Sequence, residues 1–219
     1  MRRLNVKGEI TMKAMKIFYD LNGALYANIT NKCPCNCTFC IRHNDETVGE
    51  NDSLWLEHEP TVAEIMDAFD EVDASKYDEV VFCGFGEPME RPWELIEAAE
   101  YIKRRTGMKI RINTNGLVSL MHPTFDLYSM RGVIDSVSIS LNASDPEKYL
   151  EITKSRFGLP SYNSMLNFAI ITHSFIPDVK LTVVDVIGEE EVEKCRRRAA
   201  DIGVPLRVRA YISNNREYD

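Results

Sequence analysis

Four of the chain's six cysteines fall within eight residues, at Cys33, Cys35, Cys37 and Cys40. Bridges between such close neighbours would shut tiny loops and restrict the unfolded chain little, so a disulfide framework is a poor reading. Clustered thiols in a chain that reads as non-secreted favour metal. Thiolate is a soft ligand suited to zinc or iron–sulfur clusters. A structural zinc takes four ligands, as does an all-cysteine [4Fe–4S] cluster. The Cys33-x3-Cys37-x2-Cys40 triad offers three and would leave one iron open to a non-protein ligand. With Cys35 counted in, the run could instead be a four-ligand zinc or iron–sulfur module, although four ligands from so short a loop are sterically difficult.

A second candidate is Cys83-Gly84-Phe85-Gly86-Glu87-Pro88, at the end of a β-rich run. Its glycines would let the backbone approach a ligand closely and its proline would stiffen the exit. Taken alone, the segment also reads as an ordinary strand-to-helix turn. The remaining candidates are blander. His43 could shuttle protons or simply be a polar loop residue, Cys83 suits an interior strand, Cys195 lies on an apolar helix stripe, and Trp55 and Trp93 suit anchors for a loop and a helix. The sequence shows no serine or cysteine triad, phosphate loop or second metal motif.

The elements that must position these residues alternate in type. Strands are expected at Ala24–Thr30, Glu79–Cys83, Lys109–Thr114, Ser136–Leu141, Lys180–Val186 and Leu206–Ile212. Helical stripes run through Val62, Ile65, Met66, Phe69 and Val72 behind Pro60, through Leu95, Ile96, Ala99 and Ile102 up to Gly107, and through Val192, Cys195, Ala199 and Ile202 up to Gly203. The last helix carries Glu189–Glu191 in its first turn and Arg196–Arg198 near its end, which matches the helix dipole. Asp145–Ile152 and Ser161–His173 supply further helical material. Six β/α units imply a parallel sheet with helical crossovers, too few for a closed eight-stranded barrel. An open partial barrel or a doubly wound sheet remains, and in either the chemistry gathers at the C-terminal strand ends, where both candidate segments lie.

The 219 residues suit one core, with residues 1–14 an N-terminal extension and 15–219 a single domain. A composition 44% hydrophobic and 27% charged is that of an ordinary soluble protein, and a net charge of −8 disfavours nucleic acid as a partner. No apolar run reaches the roughly 20 residues of a membrane span, and the N-terminus lacks a signal peptide's apolar core, so a cytoplasmic location is expected.

Cys33-x3-Cys37-x2-Cys40 with the aromatic Phe39 before its last cysteine resembles the signature of the radical S-adenosylmethionine (SAM) superfamily. Gly84-Phe85-Gly86-Glu87-Pro88 resembles the family's Gly-Gly-Glu-Pro segment, with Phe85 as a departure. Two matches in the right order, each at a strand end, favour this family over a zinc module. Over Met15 to Ile212 the resemblance implies a partial, open (β/α)6 TIM-like barrel of α/β class. It implies an enzyme with a [4Fe–4S] cluster on Cys33, Cys37 and Cys40, with Cys35 a non-ligating neighbour. It also implies SAM, chelating the open iron and reductively cleaved to methionine and a 5′-deoxyadenosyl radical that takes hydrogen from substrate. Phe39, Gly84, Phe85, Gly86 and Glu87 are then cofactor-binding, the glycine carbonyls and the acid meeting the methionine ammonium. Asn113, before a Thr-Asn-Gly turn, and Ser140, Asn142 and Tyr211 are further cofactor candidates. An external electron donor such as flavodoxin or ferredoxin is implied.

Gly23-Ala24-Leu25-Tyr26, the cysteine run through His43, and Cys83–Pro88 further resemble the small TatD-associated members of the family. The substrate is unidentified. The reaction could be on a small molecule, as in compact 7-carboxy-7-deazaguanine synthases. It could also modify a protein, as glycyl-radical activases do. A homodimer or a protein partner is expected to close the open side of the barrel. By parity, Ser138, Ser140 and Asn142 share a polar face expected to be interior. Arg111 and Arg209 lie on comparable faces. If those are interior, each needs an anion, supplied by the substrate or by Asp and Glu residues at the barrel floor.

Overall fold

The computed structural model describes residues 15–43 and 53–210. The expected N-terminal extension and Tyr211 lie outside the described residues. Seven strands form one sheet in the order β1-β2-β3-β4-β5-β6-β7: Phe18–Leu21, Ala24–Ala27, Glu79–Phe82, Lys109–Thr114, Ser136–Ser140, Asp178–Val184 and Leu206–Arg209. Six of them are the strands expected from sequence. The additional β1 pairs antiparallel with β2 through a tight turn at Asn22-Gly23, whose φ values of 53 and 73° place both residues in the left-handed region. An Asn-Gly pair is the favoured sequence for such a hairpin turn.

From β2 onward every pairing is parallel and follows chain order. A doubly wound sheet needs a reversal of strand order; this sheet has none, so its crossovers all pack on one side and the sheet rolls. It is a partial TIM-like barrel, not closed. The helices are α1 Val62–Asp70, α2 Pro92–Thr106, α3 Val118–Met121, α4 Pro146–Thr153, α5 Pro160–His173 and α6 Glu189–Asp201. Among the described residues no helix is long and apolar enough to cross a membrane.

Strand alternation separates two faces. Leu25, Ala27, Val80, Phe82, Ile110, Ile112, Val137, Ile139, Leu181 and Val183 are buried in the outer core with Ile65, Leu95, Ile102, Met165, Phe168 and Cys195 from the helices. The alternate residues, including Tyr26, Arg111, Asn113, Ser138, Ser140, Lys180, Arg207 and Arg209, therefore line the concave side. That is the parity expected from sequence. Arg111 is spent locally: its guanidinium lies 3.0 Å from Glu79, and Lys180 lies 2.9 Å from Asp178. For Arg111 the anion is thus an internal acid at the barrel floor, not a substrate.

The α6 acids also do more than complement a dipole. Glu191 is buried and accepts hydrogen bonds from the Ser144 backbone N–H (2.8 Å) and from Lys148 Nζ (2.7 Å). Tyr162 donates to Ser144 O at 2.6 Å. These bonds hold the loop after β5, where Asn142 sits at φ 60°. Replacing Lys148 with Met leaves that carboxylate short of its counter-ion. Urea unfolding of Lys148→Met should show a loss of about 2 kcal/mol, with Glu191→Gln/Lys148→Met recovering part of it.

Candidate functional site

Beyond Ala27 the chain leaves the sheet because side chains take over as its partners. Asn28 Nδ2 donates to Leu54 O (2.7 Å), while Asn31 pairs in both directions with the Leu56 backbone, at 2.7 and 3.0 Å. Thr30 Oγ1 donates to Glu59 at 2.9 Å. Segment 53–56 is thereby pinned along the top of β2, and the cysteine loop begins from a fixed point.

That loop is then held by backbone groups on two sides. Asn36 N donates to Thr153 O and Thr38 N to Ile152 O, both at 2.9 Å, and Arg156 N donates to Pro34 O at 2.9 Å. All three partners lie in the last turn of α4 or just beyond it. On the other side Glu87 N donates to Lys32 O at 2.7 Å. Cys33, Cys37 and Cys40 are half-buried and unbridged, as is Phe39. A hydrogen bond from Cys35 draws the Cys37 thiol below its ordinary value against the pull of burial, and Arg42 adds to it. Burial pushes Cys40 up. Cys35 is buried in the core; its hydrogen bonds with Cys33 and Cys37 push its own thiol far up, so it stays protonated.

The second segment behaves differently from its sequence reading. A Cβ on Gly84 would lie 2.1 Å from Asn28 Oδ1, and one on Gly86 only 2.3 Å from Thr30 O. The glycines are required by close packing against the start of the cysteine loop. Phe85 is buried with Tyr19 and Leu54 and meets Trp55 edge-on at 5.1 Å, so its ring is a packing anchor and not a cofactor contact. Glu87 is 4% exposed, and its carboxylate accepts from Thr114 Oγ1 (2.6 Å), Asn115 N (2.7 Å) and Met89 N (3.0 Å). It is therefore spent on tying the loop after β3 to the loop after β4, which corrects its expected role as the acid that meets the ammonium. The carbonyl oxygens of Gly84, Phe85 and Gly86, by contrast, accept no hydrogen bond among the described residues.

Asn113 lies on the concave face and hydrogen-bonds the Cys83 thiol, which burial pushes up. Ser140 ends β5, and Asn142, 5% exposed, follows it. Neither side chain has a hydrogen-bond partner among the described residues. One feature had no signal in the sequence: Tyr149 of α4 is 1% exposed, and its hydroxyl has no hydrogen-bond partner. Burial, then Cys35, Cys37, Glu87 and Cys33, push its phenol well above the usual value, which places those groups around it.

Among the described residues no three His, Cys, Asp or Glu side chains are arranged to hold a single metal ion. A cubane instead takes one thiolate on each of three irons, set farther apart. Three free thiols in a loop held on both sides, beside a buried O–H that lacks an acceptor, fit such a cluster.

Comparison with known proteins accords with this geometry. The family model of the Radical SAM superfamily matches residues 27–201. Among solved structures, SuiB of Streptococcus suis bound to precursor peptide SuiA aligns with a TM-score of 0.60 at 13% identity, over 85% of this chain and 39% of that one. SuiB bound to S-adenosylmethionine aligns equally well, at 14% identity, over 89% and 40% of the two chains. Native anSMEcpe with bound AdoMet aligns at 0.54 and 14% identity, over 86% and 51%. The chain thus spans about half the length of these structures or less. No curated protein matches the sequence.

Burial lifts the Glu87 carboxyl to about 7 from a reference of 4.5, outweighing the three donors that favour its charged form. The folded protein therefore holds a proton that the unfolded chain has lost. Stability from this group is fully present below pH 4.5 and declines through pH 7, by about 3 kcal/mol in all. Urea titrations across that window should show the decline in the native chain and a flat profile in Glu87→Gln.

Proposed function

Because the chain belongs to the radical SAM superfamily, we propose that it is a radical SAM enzyme whose cluster is held by Cys33, Cys37 and Cys40. The observation that carries this is the loop's three unbridged thiols, with Cys35 buried behind them and protonated. When bound, the [4Fe–4S] cluster and SAM supply reductive cleavage of the sulfonium and hydrogen-atom abstraction from a substrate.

The protein's own groups orient and shield. The free carbonyls of Gly84, Phe85 and Gly86 accept from the methionine ammonium, a role the Glu87 carboxylate cannot take while it accepts from Thr114, Asn115 and Met89. Ser140 and Asn142 offer unspent polar groups to the ribose or the methionine carboxylate, and Asn113 stands beside Cys83 on the same side of the sheet. Phe39 flanks the last cluster ligand. An external one-electron donor of the flavodoxin or ferredoxin type charges the cluster, and a second subunit or partner covers the open side of the sheet.

The substrate carries an anion. Arg207 and Arg209 alternate with Leu206 and Val208, which pack on the outer core, so both arginines lie on the concave side. Abreast of them on β6 are the uncharged Thr182 and Val184, and neither arginine has an ion pair among the described residues. Arg209 acts electrostatically on Tyr26 and Cys83, on and beside β2 and β3, so it faces the chamber.

Anaerobic reconstitution with iron and sulfide, followed by reduction with SAM present, should yield 5′-deoxyadenosine. Cys33→Ala, Cys37→Ala or Cys40→Ala should each lower that yield at least a hundredfold, and Cys35→Ala should lower it less than tenfold. A larger loss in Cys35→Ala than in the other three would reject the ligand assignment. For the arginines, calorimetry with inorganic phosphate should show binding that weakens about tenfold in Arg209→Gln while SAM affinity holds. A fall in SAM affinity instead would assign Arg209 to the cofactor.

A further inference from the structure

A hydroxyl buried away from water normally finds a partner, because leaving one unmade costs most of its desolvation energy. Tyr149 breaks that rule. Its ring is fixed on α4, edge-on to Tyr162 at 5.6 Å, and its hydroxyl is enclosed without an acceptor. The helix that carries it is bonded to the cysteine loop through Ile152 and Thr153, within one turn of Tyr149. Cys35, Cys37 and Cys33 are among the groups around the phenol. Three of its four nearest ionisable neighbours are therefore sulfurs of the proposed cluster loop.

We propose that Tyr149 donates a hydrogen bond to the sulfurs of the bound cluster, on its Cys33–Cys37 side, and so raises the cluster's reduction potential. The physical reason is a change of acceptor. A neutral thiol is a weak acceptor; a thiolate or a sulfide that takes on charge at reduction is a strong one. A donor aimed there stabilises the reduced cluster more than the oxidised one, and hydrogen bonds to sulfur are among the protein's levers on potential. Tyr149 is a positioning and tuning residue; it has no contact with substrate to make. The proposal rests on the cluster assignment above.

Tyr149→Phe removes one oxygen and leaves the packing in place. In the cluster-free protein it should unfold in urea no more easily than the native chain, since the hydroxyl contributes no bond there. In the anaerobically reconstituted protein, iron content should match the native chain. In a redox titration followed by electron paramagnetic resonance, the ratio of reduced to oxidised cluster at a given potential should fall about tenfold, equivalent to about 59 mV for a one-electron couple. Tyr149→Trp, which keeps a ring donor, should not restore the native value, because its N–H is placed differently. An unchanged potential in Tyr149→Phe at full iron content would overturn the proposal. So would a cluster-free Tyr149→Phe protein destabilised by a hydrogen bond's worth, which would show the hydroxyl already partnered. A native chain that takes up no iron and sulfide would instead overturn the cluster assignment itself.

Discussion

Three strand-end loops converge on one buried carboxylate. Glu87 takes hydrogen bonds from Thr114 and Asn115 after β4 and from Met89 in its own turn, while its backbone N–H holds Lys32, next to the first cysteine. None of these loops has a core of its own. Their relative positions are set by bonds to a group that burial makes costly to charge. A low-dielectric setting strengthens each of those bonds and penalises any loss among them, so the arrangement is held as a unit. Gly84 and Gly86 belong to the same constraint. They let the segment leading to Glu87 lie against Asn28 and Thr30 at distances no side chain allows.

The sheet supplies the rest through parity. One face of each strand feeds the outer helical core, and the other presents polar groups to the concave side. Where those groups could neutralise one another at the floor they do so, Arg111 with Glu79 and Lys180 with Asp178. Higher up, Ser140, Asn142, Arg207 and Arg209 remain without partners among the described residues. The division between a satisfied floor and an unsatisfied rim follows the general rule that chemistry sits at the C-terminal ends of parallel strands.

Much of this was legible in the sequence because it depends on period. Ser138 and Ser140 alternating with Val137 and Ile139 declare their faces, and the α1, α2 and α6 stripes declare their helices. The cysteine spacing and the Gly-Phe-Gly-Glu-Pro segment are local too. What sequence reading missed depends on partners far along the chain. Nothing near Glu87 announces that its acceptor capacity goes to residues 27 and 28 positions away. Phe85 reads as an insertion in a motif until Tyr19, Leu54 and Trp55 close on it. Glu191 reads as a dipole charge until Lys148 and Ser144 claim it. Strand β1 was within reach, since Asn22-Gly23 is a hairpin signal, but only four residues precede it in the ladder.

The central claim is that three thiolates leave one iron of a cubane open to SAM. Mössbauer spectroscopy of the anaerobically prepared protein, loaded with 57Fe, tests it most directly. The account predicts a cluster in which one iron is distinct from the other three and shifts further when SAM is added. A spectrum of four cysteine-ligated irons that SAM does not perturb, or a protein that retains zinc and no sulfide, would contradict it.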